Sequence, residues 1–442
     1  MSDLLAIGAS GIKAYSRALS VVGDNIANAQ TEGYVRRTVR LEEAPAAGDI
    51  VLSRNSIRPG GVLAAGVERA VDQWLSDDAR TAGGEASRQA ARLDWISATE
   101  RALDDGADGI GSSVTAIFTS ADQLSANPGD DTLRRQFLSA VDQSAAAFRR
   151  TATSLSSAAT GVATQAQGTV GQLNTDLSAL SRVNDGIRRA RPGSSNEATL
   201  LDERDRLVVN IAGATDVAVS YDARGAAIIR TPAGDALVEG PTTASVTLAV
   251  AANGQISFGI ASGSALVPGS GTLAGLTDAS AHISGQRTAL DTLAGQLAND
   301  LNSAHQAGFD ANGNPGAALL NFGGSAAALT AAALLPSEVA AADVSGSNGN
   351  MLAFNNVRGP TGIEQNVAGM IAAQAQATAA ARAQEAAAST RRDGAFAARD
   401  AIGAVDLDRE AAELLRFQQA YEAAARTIQV ARETMQTMLN IF

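Results

Sequence analysis

The amino-acid sequence predicts a mainly α, elongated protein. It would consist of paired terminal coiled-coil helices and a long helical bundle with a small inserted β module. Three observations carry that prediction. Both ends of the 442-residue chain repeat apolar residues every seven positions. The apolar content is 45%, taken in long stretches as alanine, with only 4% aromatic residues. One stretch past the middle changes to short β-branched runs separated by turn residues. Alanine-rich chains favour helices with thin apolar seams over one large globular core.

At the N-terminus Leu5, Ile12, Leu19 and Ile26 recur every seven residues, and Gly8, Tyr15, Val22 and Ala29 follow three later. These are the a and d positions of a coiled-coil seam and predict a helix over 4–29. Gly8 and Gly11 weaken it, so its first turns need a packing partner. At the C-terminus Leu407, Leu414, Tyr421, Ile428, Met435 and Phe442 keep the same spacing, with Phe417, Ala424, Ala431 and Met438 at the second seam position. Asp406 is placed to cap this helix, predicted over 407–441. Neither seam is satisfied by a lone helix in water. Two readings stand: an intramolecular hairpin closing an ordinary all-α protein, or a terminal rod that packs into a polymer.

Between the ends, helices are predicted over 70–104, 112–126 and about 130–190, the last softened by Gly161, Gly168 and Gly171. Shorter or later helices follow over 200–213, 274–307 and 363–402. Residues 214–262 alternate and turn like strands, and Asn253-Gly254 is the strongest hairpin signal. The path runs out and back. It predicts a terminal coiled-coil part (1–35 and 403–442), a helical body (36–213 and 274–402) and a small β-rich outer module (214–273).

Charge and composition exclude several function classes. With 34 basic and 46 acidic side chains the net charge is −12, which argues against nucleic acid as a partner. No run of 18 apolar residues occurs, so no membrane insertion is expected. No Sec signal peptide is expected either, because a basic segment followed by a long apolar core is missing from the start. There are no cysteines and two histidines, which removes thiolate and zinc–sulfur chemistry. No nucleotide-binding, zinc-protease or serine-hydrolase motif occurs, and no catalytic, cofactor-binding or metal residue is assigned. Asp310, Asn312 and Asn314 mimic the first half of a calcium loop. Pro315 stands where such a loop needs glycine and Asn321 where it needs glutamate, so an Asx-type turn is expected. His305 is expected to make a helix-end hydrogen bond. Asp202, Glu203 and Asp205, interleaved with Arg204 and Arg206, read as a solvated, ion-paired helix face.

Residues 8–34, GASGIKAYSRALSVVGDNIANAQTEGY, resemble the N-terminal signature of bacterial flagellar axial proteins, with Asp24 and Glu32 departing from the usual asparagine and proline. Residues 420–442 are similarly shared across that class. Three other segments, VDLDREAAELLRFQQAY (405–421), LLDERDRLV (200–208) and LDTLAGQLANDLNSAHQAGFDANGNPG (290–316), resemble the FlgK-type hook-associated family within it. The chain is short for that family, and a large outer domain of some members is expected to be missing.

The resemblance implies a non-enzymatic structural protein of the hook–filament junction, located in the extracellular flagellum and exported through the flagellar type III system without a cleaved signal. Implied partners are further copies of itself, the hook protein, a second hook-associated junction protein, and an export chaperone at the C-terminal helix. The candidate assembly interface is the pair of seams: Leu5, Ile12, Tyr15, Leu19, Val22 and Ile26 with Leu407, Leu414, Phe417, Tyr421, Ile428, Met435, Met438 and Phe442. A flagellar rod or hook protein is the alternative within the class, and a cytoplasmic helical coiled-coil scaffold the alternative outside it.

Overall fold

The computed structural model describes residues 2–31, 33–44, 60–103 and 106–440. The chain begins with helix α1 (Ser2–Ala27), strands β1 (Arg37–Ala44) and β2 (Gly61–Arg69), then α2 (Gln73–Ala102), α3 (Ile110–Ala126), α4 (Asp131–Arg189) and α5 (Ser195–Ala214). Seven short strands follow: β3 (Ala218–Tyr221), β4 (Ala227–Arg230), β5 (Ala236–Glu239), β6 (Thr242–Thr243), β7 (Val246–Val250), β8 (Ile256–Ile260) and β9 (Ala265–Leu266). Then come α6 (Gly271–Gln306), β10 (Leu320–Asn321), β11 (Thr330–Ala331), α7 (Gly349–Ala353), α8 (Ile363–Gly403) and α9 (Leu407–Leu439). The fold is mainly α with small sheets, as predicted. Two compact units are distinguished: Met1–Gly84, Gln172–Ser245 and Ser389–Phe442 form the first, and Glu85–Gly171 and Val246–Ala388 the second.

In the first unit α1 packs on α9 and on the β1–β2 hairpin. The hairpin pairs antiparallel from Arg37↔Arg69 to Ala44↔Gly61, with a bulge between Arg40 and Leu41. The sequence pattern does not anticipate it: this stretch falls inside the predicted helical body, with no element read there. The strands β3, β4, β5 and β6 form one antiparallel sheet in that order. Asn184, on the C-terminal part of α4, pins the sheet: its Nδ2 donates to the carbonyl of Ala227 and its Oδ1 accepts the Ala227 N–H, both at 2.8 Å. Leu177, Leu180 and Ile187 of α4 and Ile229, Leu237 and Val238 of the sheet are fully buried.

The second unit is built around a larger core drawn from α3, the first part of α4, α6, α7 and the start of α8. Phe137 and Phe354 meet edge-to-face with centroids 5.6 Å apart, a favoured aromatic geometry. Strands β7, β8 and β9 form a separate sheet, and β7 and β8 turn about Asn253-Gly254. Gly254 has φ +86°, which the turn requires and which glycine adopts without strain. Residues 214–273 therefore carry strands of two sheets that share no ladder.

The expected soft middle of α4 is a correction. The helix is continuous from Asp131 to Arg189. Gly161 lies against the indole of Trp95, where an added Cβ would stand 2.3 Å from the ring. The glycine is there to admit an aromatic side chain, and that contact outweighs its weak helix propensity.

Two expectations about polar residues hold in the second unit. Asp310 Oδ1 accepts the amide N–H groups of Asn312 and Asn314, each at 2.8 Å, in an Asx-type turn. His305 is fully buried near the end of α6. Its Nδ1 lies 2.6 Å from the Ala317 carbonyl, and its Nε2 accepts the Ala340 N–H at 2.8 Å. The Ala340 N–H can only donate, so the proton sits on Nδ1 and the ring is neutral.

Candidate assembly interface

The terminal helices meet through small residues. The buried positions of α1 are Gly8, Gly11, Ala14, Ala18, Val21, Val22 and Asn25. A Cβ on Gly8 would lie 2.6 Å from Cγ1 of Ile428, and one on Gly11 would lie 3.0 Å from Cβ of Ala424. Glycine at both positions lets the α9 backbone approach closely. The larger apolar residues of the predicted seam flank this contact. Leu5, Ile12, Tyr15 and Leu19 are half-buried, Val22 is buried and Ile26 is exposed. Tyr15 and Phe417 rings lie 6.4 Å apart.

Helix α9 begins at Leu407 as predicted, and Asp406 caps it by accepting the N–H groups of Asp408 and Arg409. Leu414, Phe417 and Ile428 are half-buried. Leu407, Tyr421, Met435 and Met438 are exposed, as are Leu415 (58%), Val430 (61%) and Leu439 (70%) off the seam. From 432 to 440 every residue is exposed. Phe442 lies outside the described residues.

The sequence pattern missed the polar centre of the contact. Glu410 occupies a seam position of α9 and is fully buried, as is Asn25 on α1. Asn25 Nδ2 donates to Glu410 Oε2 (2.9 Å) and to the Arg37 carbonyl (2.8 Å). Its Oδ1 accepts from the Tyr34 hydroxyl (2.9 Å) and the Arg37 N–H (3.0 Å). All four hydrogen-bonding positions of the amide are thus used. Arg36 Nε completes the group with a 2.7 Å bond to Glu410 Oε1. Burial pushes the Tyr34 hydroxyl up to about 12, against the opposing pull of the Arg37 guanidinium.

A second network fixes the hairpin to α5. Asp202 accepts from Arg37 at 2.6 Å and from Arg69 at 2.7 Å, and Arg69 also reaches Asp205 at 2.7 Å. Arg204 pairs with Asp205, bonds the Gly225 carbonyl and lies over the Tyr221 ring at 4.3 Å. Arg37, Arg69 and Arg204 are nearly buried. The expected solvated face is therefore a correction: only Arg206 and Glu203 keep that character. No pattern along 200–208 could reveal partners more than a hundred residues away.

Among the described residues no group of three or more His, Asp or Glu side chains could hold a metal ion. Nor, among them, is any helix long and apolar enough to cross a membrane.

Comparison with known proteins bears on the family and the fold. The flagellar hook-associated protein FlgK helical domain matches residues 96–320, just over half of the chain. The flagella basal body rod protein family matches 5–34, and the flagellar basal body rod FlgEFG protein C-terminal family matches 404–441. Flagellar hook-associated protein 1 of Salmonella typhimurium is 27% identical over 73% of this chain and 60% of its own length. The chain thus spans about three fifths of that relative. The Bacillus subtilis protein of the same name is 24% identical over 97% of this chain and 96% of its own. A solved structure, the flagellar hook junction protein FlgK from Burkholderia pseudomallei, matches with a TM-score of 0.50 and 23% identity, over 55% of this chain and 46% of that one. At that level the likeness concerns the fold. On the helical-domain match, the chain belongs to the FlgK-type flagellar hook-associated protein family.

Proposed function

We propose that this chain is a structural, non-enzymatic subunit of the flagellar hook–filament junction that assembles with further copies of itself. The observation that carries the reading is the surface of α9. Its contact with α1 uses small residues and a saturated polar centre, and it leaves Leu415, Val430, Met435, Met438 and Leu439 uncovered. Burying such a side chain contributes about 1.5–3 kcal/mol, so a helix carrying five has a strong drive to acquire neighbours. A head-to-tail contact between unlike surfaces propagates into rings or helical tubes rather than closing a dimer. The rod-family matches at both ends support an axial role, and the FlgK helical-domain match favours the junction over the rod or hook.

On this reading the segments 1–35 and 403–442 form the assembling part. The chain travels through the flagellar type III system without a cleaved signal, with an export chaperone on α9, and then meets the hook protein and a second hook-associated protein. Electron microscopy of a deletion strain tests the role. Bare hooks with secreted, unpolymerised flagellin are expected. Missing hooks would move the assignment to the rod or hook.

A further inference from the structure

The seam between α1 and α9 does not by itself fix how the two helices are aligned. On α1 the buried residues Gly11, Ala18 and Asn25 recur every seven; on α9 the buried Glu410 and Ala431 and the half-buried Phe417 and Ala424 fall on one seven-residue repeat. Gly11 meets Ala424 and Asn25 meets Glu410, so the helices run antiparallel. Sliding α9 by one heptad, about 10 Å, would set Gly11 against Ala431 and Ala18 against Ala424. Small residues would again face small residues along this repeat, at the loss of the Tyr15–Phe417 ring contact.

The polar centre opposes the slide. In the shifted alignment Asn25 would face Phe417, and Glu410 would leave both the Asn25 amide and the Arg36 guanidinium behind. A buried carboxylate without partners is far costlier than a paired one. We infer that Asn25 and Glu410, with Arg36, are the register lock of the terminal helix pair: they choose the alignment, while the glycines and alanines supply the close approach. A single buried polar residue setting register at some expense of stability is an established device in coiled coils. Here the lock uses the chain's two distant ends and fixes which α9 side chains remain outside. It concerns a single chain and stands apart from the junction reading.

The cysteine-free sequence makes the test direct. Two reporter pairs are introduced into the full-length chain: Gly11→Cys with Ala424→Cys for the observed register, and Gly11→Cys with Ala431→Cys for the shifted one. A Cβ on Gly11 would stand 3.0 Å from that of Ala424, about 0.8 Å closer than the usual disulfide value of about 3.8 Å, so the helices must part slightly to form the bridge. Under mild oxidation of dilute protein, 11–424 should form and 11–431 should be at least about tenfold weaker, as 1.4 kcal/mol of register preference gives. In an Asn25→Leu, Glu410→Leu background, 11–431 should rise to a yield comparable with 11–424. Glu410→Gln, which keeps an acceptor facing Asn25, should retain the 11–424 preference. The inference is overturned if the double-leucine background still cross-links only at 11–424, if it cross-links at neither pair, or if Glu410→Gln loses the preference.

Discussion

Gly8 of α1 and Ile428 of α9 are in contact at the limit of what a backbone allows: a Cβ on Gly8 would stand 2.6 Å from Cγ1 of Ile428. By contrast, Gly23 on the same helix has nothing within 4 Å of its Cβ position. The same substitution should therefore act with opposite signs. Gly23→Ala should stabilise α1 by about 0.5–1 kcal/mol through helix propensity. Gly8→Ala should lose more than it gains, because overpacking costs about 1–3 kcal/mol. Hydrogen exchange of 2–27 and 407–439 reads both. Equal protection in the two variants would show that the helices do not approach as described.

Asp202 holds two nearly buried guanidinium groups, those of Arg37 and Arg69. Asp202→Asn leaves them without their shared charge. The expected cost is about 3 kcal/mol, at the lower end for breaking a buried pair because the carboxylate is partly solvated. The amides of β1 and β2 should exchange faster, while those of the second unit should not change. Unaltered exchange in the hairpin would show that α5 does not anchor it.

His305 gives the second unit a pH dependence of predictable sign. Burial pushes its imidazole below the ordinary value of 6.5, against a smaller opposing effect of the Ala317 carbonyl. The unfolded chain takes up the proton first. The contribution is complete above about pH 6.5, falls as pH drops below it, and levels off once the folded ring is also protonated. The loss is at most about 1.4 kcal/mol per pH unit in that window. Thermal unfolding between pH 7.5 and 5.0 should show it, and His305→Gln, although less stable throughout, should lose less over the same range. Parallel pH profiles for the two proteins would contradict the neutral, doubly bonded ring.

What the sequence made legible followed physical range. The heptads of α1 and α9 are local and apolar, so period alone places both helices, and the residue type just before Leu407 marks the Asp406 cap. Asn25 and Glu410 were invisible because an apolar period has no place for a polar pair 385 residues apart. The hairpin escaped because one face of β1 is only partly covered, giving a weak alternation. Gly161 misled because its partner, Trp95, is on another helix. His305, at the end of a helix, reads as a structural residue, yet its second partner, Ala340, sits on a loop that no helical pattern predicts.

The most direct measurement concerns the uncovered surface of α9. Leu415 and Val430 are 58% and 61% exposed and lie off the α1 seam, so Leu415→Asp with Val430→Asp should leave the folded chain intact, with unchanged circular dichroism and thermal unfolding. Expressed in the deletion strain, the variant should be secreted, scored separately from attachment, and the hooks should stay bare in electron micrographs. Normal filaments on hooks carrying the secreted variant would contradict assembly through this face.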